Sequence, residues 1–255
     1  MTHIELFGCT GAGKTTLVAE IQRSCRELGV VLRSGDDVAL GRLRLERLES
    51  YFLRTLFVDL VSLWACLWSF RRYRDFHRLA FRQTLSLRAP ILHKLRLMRN
   101  LLKKIGIFEV VGRSSAEGIV LVDEGTLHTA HFLFVHAGMT PPTGSTSEFI
   151  DVVPLPEIAL YATQRESVLV ERTLARGHPR LPGASRSEVE TFVGHAVDTF
   201  DEVAGRDVLK ARLFRVDLDE LSITAPAESA EAETFSELGK VLGDAVARLR
   251  DREAS

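Results

Sequence analysis

"HIELFGCTGAGKTTL", residues 3–17, carries an apolar run, a glycine-rich turn and the start of a helical pattern in direct succession. Gly8-Cys9-Thr10-Gly11-Ala12-Gly13-Lys14-Thr15 fits G-x-x-x-x-G-K-[ST] at every fixed position. Ile4, Leu6 and Phe7 supply a short strand before it. Thr16, Leu17, Val18, Ala19, Ile21 and Leu28 follow at helical spacing, and Gly29 is a natural helix stop. Gly8, Gly11 and Gly13 let the backbone wrap an anion with its N–H groups inward, because a Cβ would block some of those conformations. The helix N-terminus adds positive partial charge beneath it. Residues 8–16 are thus the expected nucleotide-binding loop. Lys14 is placed to reach the β- and γ-phosphates, and the Thr15 hydroxyl to ligate Mg²⁺.

A second signature follows 108 residues after Thr15: Ile119-Val120-Leu121-Val122 ends in Asp123-Glu124. An apolar strand that delivers an Asp beside a phosphate loop supplies the other Mg²⁺ carboxylate, often through water. Glu124 has two readings. It is a further carboxylate for the metal, or it polarises water, as in motor-type and transporter ATPases. The second reading makes the chain an ATPase or nucleotide switch. No N-K-x-D-type base-reading segment, sensor segment or second nucleotide domain accompanies it in the sequence.

Strand and helix patterns alternate along the chain. That predicts an α/β, three-layer P-loop NTPase fold: a five-stranded parallel sheet with helices on both faces. Strands are expected at about 3–7, 30–33, 118–125, 155–163 and in "ARLFRVDLD". Helices are expected at about 14–28, in "TLHTAHFLFVHA", in "RESVLVERTLARG" and at about 229–250. A further helix, "SEVETFVGHAVDTFDEVAG", is read with Ser187 and Glu190 as its capping box. Residues 137–146 read as a loop. The whole, 1–255, is expected as one domain, with a helical acceptor-binding insertion at 38–113 and a lid at 172–186.

With 45% hydrophobic and 26% charged residues, the composition is that of a globular protein. Cys9, Cys25 and Cys66 lack metal-ligand spacing, which fits a reducing, cytoplasmic setting, and a strand starting at residue 3 leaves no room for a signal peptide. Cys9, inside the loop, reads either as a thiol made reactive by a nearby Lys or as an inert small side chain. The net charge of −1 hides an asymmetry: residues 38–108 hold 15 Lys and Arg against 4 Asp and Glu, while the rest is acidic. Such a basic block faces something anionic.

"LPEIALYATQRESVLVERTLARGHPR", residues 155–180, places a helix bearing Arg172 and Arg176 on one face after a strand, with Arg180 just beyond. In element order over most of the chain, and at residues 3–17, 118–125 and 155–180, the sequence resembles P-loop small-molecule kinases. The nucleoside and nucleotide kinase family, thymidylate kinase above all, is the nearest in pattern. The resemblance implies phosphotransfer from MgATP to a small acceptor, with Arg172, Arg176 and Arg180 as lid arginines. Such arginines neutralise the transferring phosphoryl and exclude water. Asp123-Glu124 stands where thymidylate kinases carry Asp-Arg, and their glutamate-bearing segment after the second strand is missing, which speaks against dTMP. Gly35-Asp36-Asp37-Val38 looks like the Gly-Asp-Asn-Val of adenylylsulfate kinases and places Asp36 as the carboxylate facing the acceptor hydroxyl.

The insertion contains "LFVDLVSLWACLWSF", residues 56–70, followed by "RRYR". Phe57, Leu60, Val61, Trp64, Leu67 and Trp68 share one helical face; Ser62, Ala65, Cys66 and Ser69 share the other. Asp59 interrupts a run already short for a membrane span. The apolar face is therefore read as core, as a homodimer contact, or as a membrane surface contact through 56–74, which would make the protein peripheral to the membrane. "APILHKLRLMRNLLKKIG", residues 89–106, is a second amphipathic helix, with Lys94, Arg99 and Lys103 as a solvated face. If the basic block lines the cleft, the acceptor is anionic. Nucleic acid is disfavoured because the arginines alternate with deeply apolar positions. His128, His131 and His136 lack partners at metal-ligand spacing and read as structural.

Overall fold

Strand β1 (Thr2–Phe7) lies in the middle of the sheet because both of its faces are covered. Ile4 and Leu6 join an apolar cluster on one side, and Phe7 joins another on the opposite side. The computed structural model describes residues 1–45, 48, 50–115, 117–136, 144–178, 180–224, 239–245 and 247. With β2 (Leu32–Ser34), β3 (Ile119–Asp123), β4 (Ile158–Thr163), β5 (Leu213–Asp217) and β6 (Ser222–Thr224), β1 forms one sheet in the order β2-β3-β1-β4-β5-β6. The first five strands are parallel, as expected; β6 is added antiparallel to β5. Three residues are too few to show a period of two, so β6 leaves no pattern in the sequence.

Helices cover both faces. Helix α1 (Lys14–Glu27) and the helical residues 239–245 place Leu17, Ile21, Val241 and Leu242 against Ile4, Leu6 and Leu160. Apart from residue 247, which is helical, the rest of the expected terminal helix lies outside the described residues, as do residues 137–143 of the expected loop. Over the far half of the opposite face lie α6 (Thr129–Phe134), α7 (Ser145–Val152), α8 (Glu166–Arg176) and α9 (Arg186–Ala204). Helix α10 (Asp207–Lys210) is a single turn before β5. The short α7 and α10 are unanticipated. The capping box of α9 is formed by Ser185 and Glu188, not by Ser187 and Glu190, so the helix starts two residues earlier than the spacing suggests.

The basic insertion folds as α2 (Gly35–Gly41), α3 (Tyr51–Trp68), α4 (Arg74–Ser86) and α5 (Ile91–Gly112). Helices α2 and α5 pack on Val120 and Val122 of β3. Helix α3 runs alongside α5 in the same direction: Asp59 bonds Arg99 and Lys103, and Ser62 abuts Gly106. A Cβ at Gly106 would overlap the Ser62 carbonyl, so glycine permits this close approach. The facing of α3 divides the expected apolar stripe. Val58, Asp59, Ser62 and Cys66 are buried, whereas Leu60, Trp64, Leu67 and Trp68 point outward. Small side chains and the Asp59 ion pairs bring the helices together closely; Phe57 and Val61 pack against the core, so the core reading holds for only part of the apolar stripe.

Candidate active site

The register of β1 against β3 pairs Leu6 with Asp123. The phosphate loop and the second signature therefore leave the sheet side by side at its carboxyl edge, the usual place for ligands in such sheets. Gly8, at φ 139°, lies under β4, where a Cβ would overlap the Ala162 carbonyl. Gly11 and Gly13, at φ 87° and 94°, continue the turn into α1, and Gly13 caps it without a side chain. Lys14 is buried. Its ammonium donates to the Gly8 and Cys9 carbonyls at 2.9 and 3.0 Å and lies 3.4 Å from a Glu124 carboxylate oxygen. Burial pushes the Cys9 thiol up to about 12 despite Lys14, so this cysteine stays protonated and unreactive.

Glu124 is held in left-handed backbone at φ 56°, where its N–H donates to the Leu6 carbonyl at 2.9 Å. That conformation is costly for a non-glycine residue and is found where surrounding structure imposes it. Here it turns the carboxylate onto Lys14, with the His128 imidazole 3.6 Å away on the other side. Next to it, a Cβ at Gly125 would overlap the Glu5 carboxylate. Glu5 accepts from the Leu127 N–H and the Thr126 hydroxyl, and burial raises its carboxyl to about 7. Burial, then the adjacent Glu124, also raises the Asp123 carboxyl, against the pull of Lys14 and Lys104.

Two cavities share Asp123 as a lining residue. One, of about 470 Å³, is lined by residues 10–16, Asp123, Glu124, Gln164, Arg172 and Arg176. The Arg172 guanidinium donates to the Gly11 carbonyl at 2.8 Å and so ties α8 to the loop. The other, of about 540 Å³, lies between α1, β2 and α5 and is lined by Asp36, Asp37 and Asp123 together with Arg26, Arg33, Lys103 and Lys104. Asp36 and Asp37 differ in duty. Asp37 accepts from the Ser34 N–H and hydroxyl, which makes the capping box of α2, and pairs with Arg54. Burial acts to raise the Asp37 carboxyl, but these partners outweigh it and hold it low. Asp36 is half-buried in the cavity wall.

The structure thus gathers Lys14, Thr15, Thr16, Asp123, Glu124, Arg172 and Arg176 around one cavity and places Asp36 in the next. Arg180 lies elsewhere: its guanidinium donates to the His131 and Val135 carbonyls at 3.3 and 3.0 Å, over the Phe132 ring. Burial brings it down to about 10, partly offset by Glu124. Sequence reasoning missed Lys104, whose ammonium burial lowers and Glu124 supports, and it assigned Lys103 to a solvated face although this lysine pairs with Asp59 at 2.9 Å beside the cavity. The doublet Lys103-Lys104 straddling the edge of an apolar stripe was the available signal. Thr15 and Asp123 offer hard oxygen donors across one cavity, which suits Mg²⁺, an ion that keeps several waters and needs few carboxylates. Among the described residues there is no cluster of three or more His, Cys, Asp or Glu able to hold a metal by themselves.

No family model and no curated protein matches the chain. Among solved structures it is similar to a shikimate kinase from Bacteroides thetaiotaomicron, with TM-score 0.38, 14% identity and 100% of this chain covered against 99% of that one. It is also similar to a deoxyadenosine kinase from M. mycoides with bound dATP, with TM-score 0.38, 14% identity, and 85% and 91% covered. These likenesses are weak, and neither structure is a thymidylate kinase; the fold assignment rests on the strand order and register.

Proposed function

We propose that the chain is an ATP-dependent phosphotransferase that moves the γ-phosphoryl of MgATP to a small, anionic, hydroxyl- or phosphate-bearing acceptor. The observation that carries this reading is the pair of cavities that share Asp123 in their walls. A hydrolase needs one chamber and a water; a transferase needs a second chamber for its acceptor. In this reading the loop N–H groups, Lys14, Arg172 and Arg176 hold the nucleotide phosphates and the charge that develops on the transferring group. Thr15 and Asp123 hold Mg²⁺, which supplies charge neutralisation when bound. Asp36 orients the acceptor hydroxyl and takes its proton. Arg26, Arg33 and Lys104 offer the second chamber cations for an anionic acceptor group beside Asp36 and Asp123. Arg180 braces α6 behind the lid segment.

A second reading has its own support: the left-handed turn that aims Glu124 into the loop cavity. There Glu124 activates water and the chain is an ATPase. Paired kinetics separate the two. Under the transferase reading, Asp36→Asn lowers acceptor phosphorylation by about 10²-fold or more while nucleotide affinity stays unchanged, and Glu124→Gln retains transfer. If Asp36→Asn is silent and Glu124→Gln abolishes turnover, the ATPase reading stands instead.

A further inference from the structure

We infer that the outward face of α3 docks onto an anionic lipid bilayer. Along this helix Phe52, Leu56, Leu60, Trp64, Leu67 and Trp68 recur every three or four residues and form one stripe. They are far more open than a folded core allows: Phe52 is 72% exposed, Trp64 69%, Leu67 71% and Trp68 63%. Because α3 and α5 run in the same direction, the exposed Ile91, Leu92 and Leu95 extend the apolar surface at the start of both helices. At the other end, the chain turns at once into exposed Arg71, Arg72, Arg74 and Arg78. A patch this long and apolar on a water-facing surface marks an interaction site.

Charge identifies the occupant. Residues 50–113 contain 13 Lys and Arg against Asp59, Asp75 and Glu109. Asp59 and Glu109 are buried and paired with cations, and Asp75 already bonds Arg74 and Arg78. A second copy of the chain would bring the same arginines together with Asp75, already shared between Arg74 and Arg78, as the one exposed carboxylate of this segment among the described residues. A bilayer carrying anionic headgroups satisfies both halves of the surface: the tryptophans enter the interfacial zone and the arginines meet the headgroups. By length and composition alone, the 18 residues of α3 suffice to cross a membrane. Its inner side, however, is bound to α5 through Asp59, Arg99, Lys103 and the Ser62–Gly106 contact. The helix therefore lies along the surface and does not span it.

Trp64 and Trp68 are the only tryptophans of the chain, so its intrinsic emission reports on this face alone. The test mixes the full chain with vesicles of phosphatidylcholine, with and without phosphatidylglycerol, and follows emission, brominated-lipid quenching and flotation. The expected result is a blue shift, quenching and flotation with the anionic vesicles only. The Arg71→Glu, Arg74→Glu double variant, checked for unchanged melting and ATP binding, should partition about thirty-fold more weakly or worse. A Trp64→Ser, Trp68→Ser variant should lose flotation as well. No quenching and no flotation would overturn the inference. So would equal binding to neutral vesicles, or a concentration-dependent blue shift without lipid that tracks a doubling of mass, since the face would then belong to a second copy.

Discussion

Lys14 and Arg172 hold the phosphate loop from opposite sides, one from within its own turn and one from α8. Replacing Arg172 with Ala removes a charge-assisted bond to the Gly11 carbonyl and a cation from the loop cavity. ATP should bind about ten-fold more weakly, the scale of one such bond, as titration calorimetry can read. Arg180→Ala should behave differently. It removes a donor from the Val135 carbonyl and one of two donors from the His131 carbonyl at the end of α6, so the melting temperature drops while ATP affinity holds. At this scale the loop and Asp123 were legible because spacing alone defines them. Sequence chemistry favours Asp36 over Asp37 for the acceptor, and in the structure Ser34 and Arg54 occupy Asp37. Glu124 in contact with His128, and Lys104 beside Asp123, depend on long-range packing that no local pattern records.

Between elements, the crossing of α3 and α5 is the most consequential contact in the insertion, because α5 also walls the second cavity through Lys103 and Lys104. Gly106→Ala forces the helices apart or the side chain into the Ser62 backbone. The expected cost is about 1–3 kcal/mol, read by urea unfolding, together with weaker acceptor binding at unchanged ATP affinity. Wild-type stability in this variant would contradict the close approach. The same crossing explains why the facing of α3 could not be read from its residues. Periodicity identifies two faces of a helix but not which one is covered, and here shape and the Asp59 ion pairs prevail over apolar area. The parallel strands were legible as continuous apolar runs, whereas β6, α7 and α10 are too short to carry a period.

For the molecule as a whole, buried ionisable groups shape stability. Burial lowers His3, His77 and His136 to about 4, and His128 and His131 also lie well below 6.5. Unfolding frees these rings to take up protons, so stability is lost as pH falls from about 6.5 toward 4. Glu5 has the opposite sign. Its folded value of about 7 lies above the ordinary 4.5, so ionising it in place weakens the fold as pH rises across that interval. Urea unfolding across the same range should show stability rising with pH, and more steeply in Glu5→Gln, where the opposing carboxyl is gone. A flat wild-type profile would contradict the buried, neutral histidines.

The central claim, that two chambers sharing Asp123 pass a phosphoryl group from nucleotide to acceptor, is tested most directly by tracing the phosphoryl itself. The purified chain is given γ-labelled ATP and Mg²⁺, with and without a small-molecule metabolite extract, and the label is followed into free phosphate and into new anionic products. The account predicts little free phosphate without the extract and a labelled product with it, which disappears in Asp36→Asn. Rapid release of free phosphate in the absence of extract, undiminished by Asp36→Asn and with no labelled product when extract is added, would contradict it.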